Sequence, residues 1–103
     1  MSKLGNYITG SWITGDGDGQ LLYNAVTGQP VATASTKGLN FQSILHYART
    51  VGNPALRKMT FHERGNMLKA LALHLRNHLD KFYAVSYQTG ATKADSWVDI
   101  EGG

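Results

Sequence analysis

The hydrophobic period of the chain changes once, near Asn40. Over residues 6–34, β-branched and aromatic residues come in short runs separated by Gly, Asp and Asn. The runs are Tyr7-Ile8-Thr9, residues 11–14, residues 20–24 and residues 29–34, with Gly15-Asp16-Gly17-Asp18-Gly19 and Thr27-Gly28 between them. Strands joined in hairpins produce that spacing. Two-stranded ribbons are barely stable alone, so hairpins over residues 1–36 need a surface to lie on.

From residue 40 the period is helical. Phe41, Ile44, Leu45, Ala48 and Val51 fall at i, i+3, i+4, i+7 and i+10, with Asn40 placed to cap and Gly52-Asn53-Pro54 to stop, which predicts a helix over 40–52. Thr60-Phe61-His62-Glu63 has the form of a capping box, and Met67, Leu68, Leu71, Leu75, Leu79 and Phe82 continue as one apolar stripe. A break near residues 77–80, with Asn77 or Asp80 as the cap, divides residues 60–89 into a helical pair closed by Gly90. A third helical region begins near Asp95. The fold class expected is therefore α+β: β-hairpins followed by three helices. The pair over 60–89 is expected to hold its shape alone. The stretch over 95–103 is expected to be the start of a truncated helix, because isolated helices under about 12–15 residues are marginal in water.

Composition narrows the functions open to the chain. Charged residues make up 17% of it, against about 25% in an average domain, which suits a surface meant to be covered. The net charge is +3, but the ten Lys and Arg are spread from Lys3 to Lys93 and only Arg57-Lys58 are adjacent. A nucleic-acid site needs a clustered basic face, so no nucleic-acid partner is expected. With no cysteine, these residues offer no disulfide, thiolate metal site or cysteine nucleophile. No apolar run resembles a signal peptide or a membrane span, so a cytoplasmic protein without a membrane partner is expected.

Each candidate site has a plainer reading. The Gly15–Gly19 stretch looks like a phosphate loop, yet it leads into Gln20-Leu21-Leu22-Tyr23, which reads as strand, whereas a dinucleotide loop opens a helix. A flexible hairpin turn fits better. His74 and His78 are spaced as two zinc ligands on a helix would be, but no third ligand is near and no Glu follows His74. No metal site is assigned. Asp95 and Asp99 form an i, i+4 acidic pair, which near a helix N-terminus is tolerated through the helix dipole and needs no catalytic role. The residues show no nucleophile paired with a base, so no catalytic or cofactor-binding residue is assigned.

The order of these parts resembles a known family. Tyr7-Ile8-Thr9-Gly10-Ser11-Trp12, then Asn24-Ala25-Val26-Thr27-Gly28, then Glu63-Arg64 heading a Leu-rich helix and Thr89-Gly90 behind it, are similar to the N-terminal segment of the aldehyde dehydrogenase superfamily, an α/β fold. Ala25 stands where that pattern has proline. Residues 53–64, 67–70 and 88–103 look most like the subgroup of bifunctional ring-opening enzymes of phenylacetate degradation, acting on oxepin-CoA, with the dehydrogenases of the benzoyl-CoA pathway next.

The resemblance implies a fragment, ending inside a helix, of an enzyme that oxidises a CoA-linked semialdehyde with NAD or NADP. It implies that the nucleophile, the base and the cofactor grip lie further along the parent chain. It also implies partners: the rest of the dehydrogenase domain and other subunits of a homo-oligomer. Val98 and Gly102 are placed by it on the wall of the substrate tunnel. The competing expectation is a free-standing protein-interaction module derived from a dehydrogenase N-terminus.

Overall fold

The computed structural model describes residues 1–103 and has mixed α+β content. It divides into two compact units, residues 1–22 with 30–60, and residues 23–29 with 61–103.

In the first unit, β2 (Asn6–Ile8) and β3 (Ser11–Ile13) form an antiparallel hairpin in which Asn6 faces Ile13, Tyr7 faces Trp12 and Ile8 faces Ser11. The Tyr7 and Trp12 rings meet edge to face, with centroids 5.2 Å apart, a cross-strand pair of the kind that stabilises sheets. The two-residue turn places both Thr9 (φ 49) and Gly10 (φ 85) in the left-handed region, the twist that two-residue hairpins require. A second sheet runs in the order β1-β5-β4, from β1 (Ser2–Lys3), β5 (Pro30–Ala34) and β4 (Gln20–Tyr23). Strand β1 lies parallel to β5, Ser2 beside Ala32 and Lys3 beside Thr33. A hydrogen bond of 2.8 Å from the Leu4 amide to the Thr33 carbonyl extends the pairing.

Residues 15–19 do not form a hairpin turn, because β3 and β4 belong to different sheets. The segment crosses between the sheets against the backbone of residues 34–38. Asp16 donates its amide to the Lys37 carbonyl at 2.8 Å, and the Ser35 hydroxyl donates to the Asp16 carbonyl at 2.7 Å. A Cβ on Gly15 would lie 2.2 Å from the Ser35 carbonyl oxygen, so glycine is required there by contact.

The helical path that was expected to stop at Gly52-Asn53-Pro54 continues. Helix α1 (Phe41–Tyr47), capped by the Asn40 side chain on the Ser43 amide, passes through a π-helical segment, Ala48–Gly52, into α2 (Asn53–Arg57). The Asn53 amide reaches back to the Ala48 carbonyl. This wider turn comes just ahead of Pro54, whose ring would otherwise meet the carbonyl four residues earlier, and whose missing N–H falls in the first turn of α2.

The second unit holds α3 (Phe61–Arg76), α4 (Leu79–Gln88), α5 (Lys93–Ile100) and the 23–29 loop. Neither Asn77 nor Asp80 caps α4. His78 stands at the cap position without a side-chain bond to the first amides of α4, and Asp80 lies in the first turn. Helix α5 starts at Lys93, ahead of Asp95, because the Thr92 hydroxyl accepts from the Asp95 amide at 3.2 Å and donates to the Asp95 carboxylate at 3.0 Å. It closes at Ile100. The close helix–helix packing in this unit is α4 on α5, where the sequence reading paired the two helices of residues 60–89.

Very little is buried. Ala32 is the one buried apolar side chain, and Ser96, at 0% exposure, is the one fully buried side chain. The accessible surface is 8172 Å², where a folded monomer of 11.2 kDa exposes ~5,700 Å² and two independent bodies of half that mass ~6,900 Å².

Candidate functional site

The most highly organised side chains lie where α4 meets α5. Ser96 projects from α5 into the contact, and its hydroxyl is 2.8 Å from that of Ser86 on α4. Two serines serve here because a buried hydroxyl needs a partner and each supplies the other's. One turn earlier on α4, the Tyr83 hydroxyl donates a hydrogen bond to the Glu101 carboxylate just past α5. That bond, which the charged phenolate could not donate, is the main reason the Tyr83 pKa is raised from 10.0 to about 12. Desolvation and the negative charges of Glu101 and ionised Tyr87 act in the same direction. The two bonds tie α5 and the residue just past it to α4.

Behind that corner, the loop of residues 23–29 is held by its own side chains. The Asn24 carboxamide oxygen accepts from the amides of Val26 (2.8 Å) and Thr27 (3.1 Å), and Gly28 turns the chain at φ 72. Asn, Thr and Gly are thus needed at their spacing for turn geometry. The Ala25 amide donates to the Gln88 carbonyl at 2.8 Å. That carbonyl, at the end of α4, is one of the acceptors a helix leaves unpaired. Proline could not make this bond. The departure from the family pattern at residue 25 therefore has a physical role, legible only once the partner carbonyl is located.

Val98 and Gly102 come together at the end of α5. A Cβ on Gly102 would sit 3.3 Å from the Val98 Cα and 3.0 Å from the Trp97 ring. A larger residue at 102 would therefore make the half-exposed Trp97 ring give by a few tenths of an ångström. Val98 and Trp97 are more than half exposed, so this end of α5 presents an apolar surface. The Trp97 carbonyl accepts from both the Glu101 and Gly102 amides, at 2.8 and 2.9 Å, which fixes the chain as it leaves the helix.

The remaining candidates carry no chemistry. His74 and His78 lie with ring centroids 4.6 Å apart, but His78 is beyond the end of α3 and its Nδ1 is engaged with the His74 carbonyl at 2.8 Å. No group of three His, Cys, Asp or Glu side chains is placed to hold a metal. Asp95 serves the α5 cap, and Asp99 lies a turn further along the helix. In the first unit, Thr9, Asn40, Ser43, His46, Tyr47 and Thr50 line a depression of about 430 Å³. It has no carboxylate to orient His46 as a base, and the Thr50 hydroxyl is bonded to the His46 carbonyl at 2.8 Å. The glycine-rich stretch of residues 15–19 leads into β4, so it does not fit a dinucleotide, whose phosphates need a helix N-terminus. No helix is long and apolar enough to cross a membrane.

No protein-family model matches the chain. Among curated proteins it is similar to the 3,4-dehydroadipyl-CoA semialdehyde dehydrogenase of Aromatoleum evansii, with 37% identity over 101 residues, 97% of this chain. The chain spans 20% of the length of that relative. It is therefore related to a segment of a dehydrogenase, and a dehydrogenase's activity, substrate and cofactor belong to a much longer polypeptide.

Proposed function

We propose that this chain is a structural segment of an NAD- or NADP-dependent aldehyde dehydrogenase that oxidises a CoA-linked semialdehyde in aromatic catabolism of the phenylacetate type. In this reading it supplies scaffold and no reacting group, and works in the cytoplasm within a homo-oligomer. Its partners are the rest of the dehydrogenase domain and neighbouring subunits. The observation that carries the proposal is the similarity over nearly the whole chain to one-fifth of a CoA-semialdehyde dehydrogenase. The unburied apolar side chains support it, since a segment that packs on a larger body needs little core of its own. Val98 and Gly102 are assigned to the wall of the substrate tunnel, where the exposed apolar end of α5 would face the acyl portion of the aldehyde.

The test is a chimera in which this chain replaces the matching segment of the A. evansii dehydrogenase. The chimera is expected to reduce nicotinamide cofactor with a CoA-linked semialdehyde, while the 103-residue chain alone does not. Val98→Phe in the chimera is expected to lower kcat/KM about tenfold, the loss that ~1.4 kcal/mol of crowding in the transition state produces. A chimera that folds and oligomerises like the parent yet oxidises no aldehyde overturns the reading and favours the free-standing interaction module.

A further inference from the structure

The segment between β3 and β4 contains two Asp-Gly steps, Asp16-Gly17 and Asp18-Gly19. Both glycines are fixed by conformation, Gly17 at φ 72 and Gly19 at φ 77, a region that residues with a side chain seldom enter. At Gly19 a contact adds to this, since a Cβ there would lie 2.7 Å from the Ala34 carbonyl oxygen. An aspartate followed by glycine is open to a reaction that other aspartates largely escape, because no side chain shields the following amide. The glycine nitrogen attacks the Asp Cγ: an N–Cγ bond forms, a Cγ–O bond breaks, and the carboxyl OH leaves with the amide proton as water. Water then opens the five-membered imide. Addition at Cγ restores aspartate, whereas addition at the main-chain carbonyl breaks the original peptide C–N bond and leaves the chain running through Cβ and Cγ as an isoaspartyl linkage. Water is the only other reactant, and nothing is oxidised or reduced.

The two steps are held differently. Attack at Asp16 requires the peptide group between residues 16 and 17 to swing about the Asp16 Cα–C bond, and that group is tied down. The Asp16 carbonyl accepts from the Ser35 hydroxyl at 2.7 Å, the Asp16 amide donates to the Lys37 carbonyl at 2.8 Å, and the Gly17 carbonyl accepts from the Lys3 ammonium. The Asp16 carboxylate is packed against Gly38 so closely that no Cβ would fit there. Asp18 is exposed, and no hydrogen bond or ion pair engages its carboxylate, its amide or its carbonyl. We infer that Asp18 is a site of spontaneous isoaspartate formation and that the fold protects Asp16 from the same reaction. The product adds one main-chain methylene just ahead of β4, where Gly19 lies against the Ala34 backbone. The inference goes beyond the dehydrogenase reading and does not depend on it, since it needs only the unit of residues 1–22 with 30–60.

The test incubates the full chain at neutral pH, with and without unfolding urea. Isoaspartate is located by electron-transfer fragmentation of the tryptic peptide of residues 4–37, which holds both aspartates. In the folded chain Asp18 is expected to convert at least about tenfold faster than Asp16, the factor that ~1.4 kcal/mol of held structure produces, on the order of one hydrogen bond. In urea the two rates are expected to converge, because the bonds to Ser35, Lys37 and Lys3 are gone. Equal rates in the folded chain, faster conversion at Asp16, no isoaspartate at Asp18, or a difference that persists in urea would each overturn the inference. None of these outcomes bears on aldehyde oxidation by the chimera, so the two readings fail separately.

Discussion

Two residues do work that their type alone does not reveal. Ala25 gives its amide to the Gln88 carbonyl. Replacing it with proline would reduce the entropy of the unfolded chain, a gain of about 0.4–1 kcal/mol, but proline removes the donor and strands the acceptor at about 1–3 kcal/mol, so the loss wins. Ala25→Pro is expected to lower stability by about 1 kcal/mol or somewhat more, read as a lower urea midpoint. Tyr83 gives a pH dependence whose sign follows from its raised pKa. The fold favours the neutral phenol, so the contribution of the Tyr83–Glu101 bond is fully present below pH 10.0 and is lost as pH rises toward about 12. Tyrosinate absorbance should show one tyrosine ionising late, and Glu101→Gln should bring it back toward the others. A single common titration of all tyrosines would contradict the bond.

The elements show where local pattern suffices and where it does not. The β2–β3 hairpin was legible because Tyr7-Ile8 and Ser11-Trp12 are strand formers around a glycine. The turn nevertheless carries a β-branched residue, Thr9, at φ 49, a conformation that Asn adopts far more readily. Thr9→Asn is expected to stabilise the chain by about 1 kcal/mol, measured as a raised urea midpoint, and an unchanged midpoint would mean the turn is relaxed. The continuation of α1 into α2 was not legible. Gly52-Asn53-Pro54 is a stop signal for an α-helix, and a π turn that carries the chain past a proline leaves no separate mark in the sequence. The parallel β1 strand escaped for a different reason. Ser2-Lys3 has no strand pattern and pairs only because β5 is beside it.

At the scale of the whole molecule, the apolar stripes are present and the core is not. Leu68, Leu71 and Leu75 on α3 have the spacing of core residues yet remain exposed, as do Trp97 and Val98 on α5. A chain with a surface of 8172 Å² gains only about three-quarters of the usual exposure on unfolding, relative to ~16,200 Å² unfolded and ~5,700 Å² folded for a well-packed monomer of this mass. The urea m-value of the isolated chain is therefore expected to be about a quarter below that of ordinary domains of its length. A normal m-value would mean that the stripes find cover within the chain.

The sequence by itself determined the α+β class, the hairpin-then-helix order and the caps at Asn40 and Gly90, because propensity and capping act through neighbours a few residues away. Of the side chains organised where α4 meets α5, the Ser86–Ser96 and Tyr83–Glu101 bonds were not legible in the sequence. Tertiary structure alone decided that α5 packs on α4, that Ala25 must keep its amide, and that Gly102 lies close against Trp97. Each of those depends on a partner brought close by the path of the chain, and a hydrogen bond or a van der Waals contact exists only once both partners have a position.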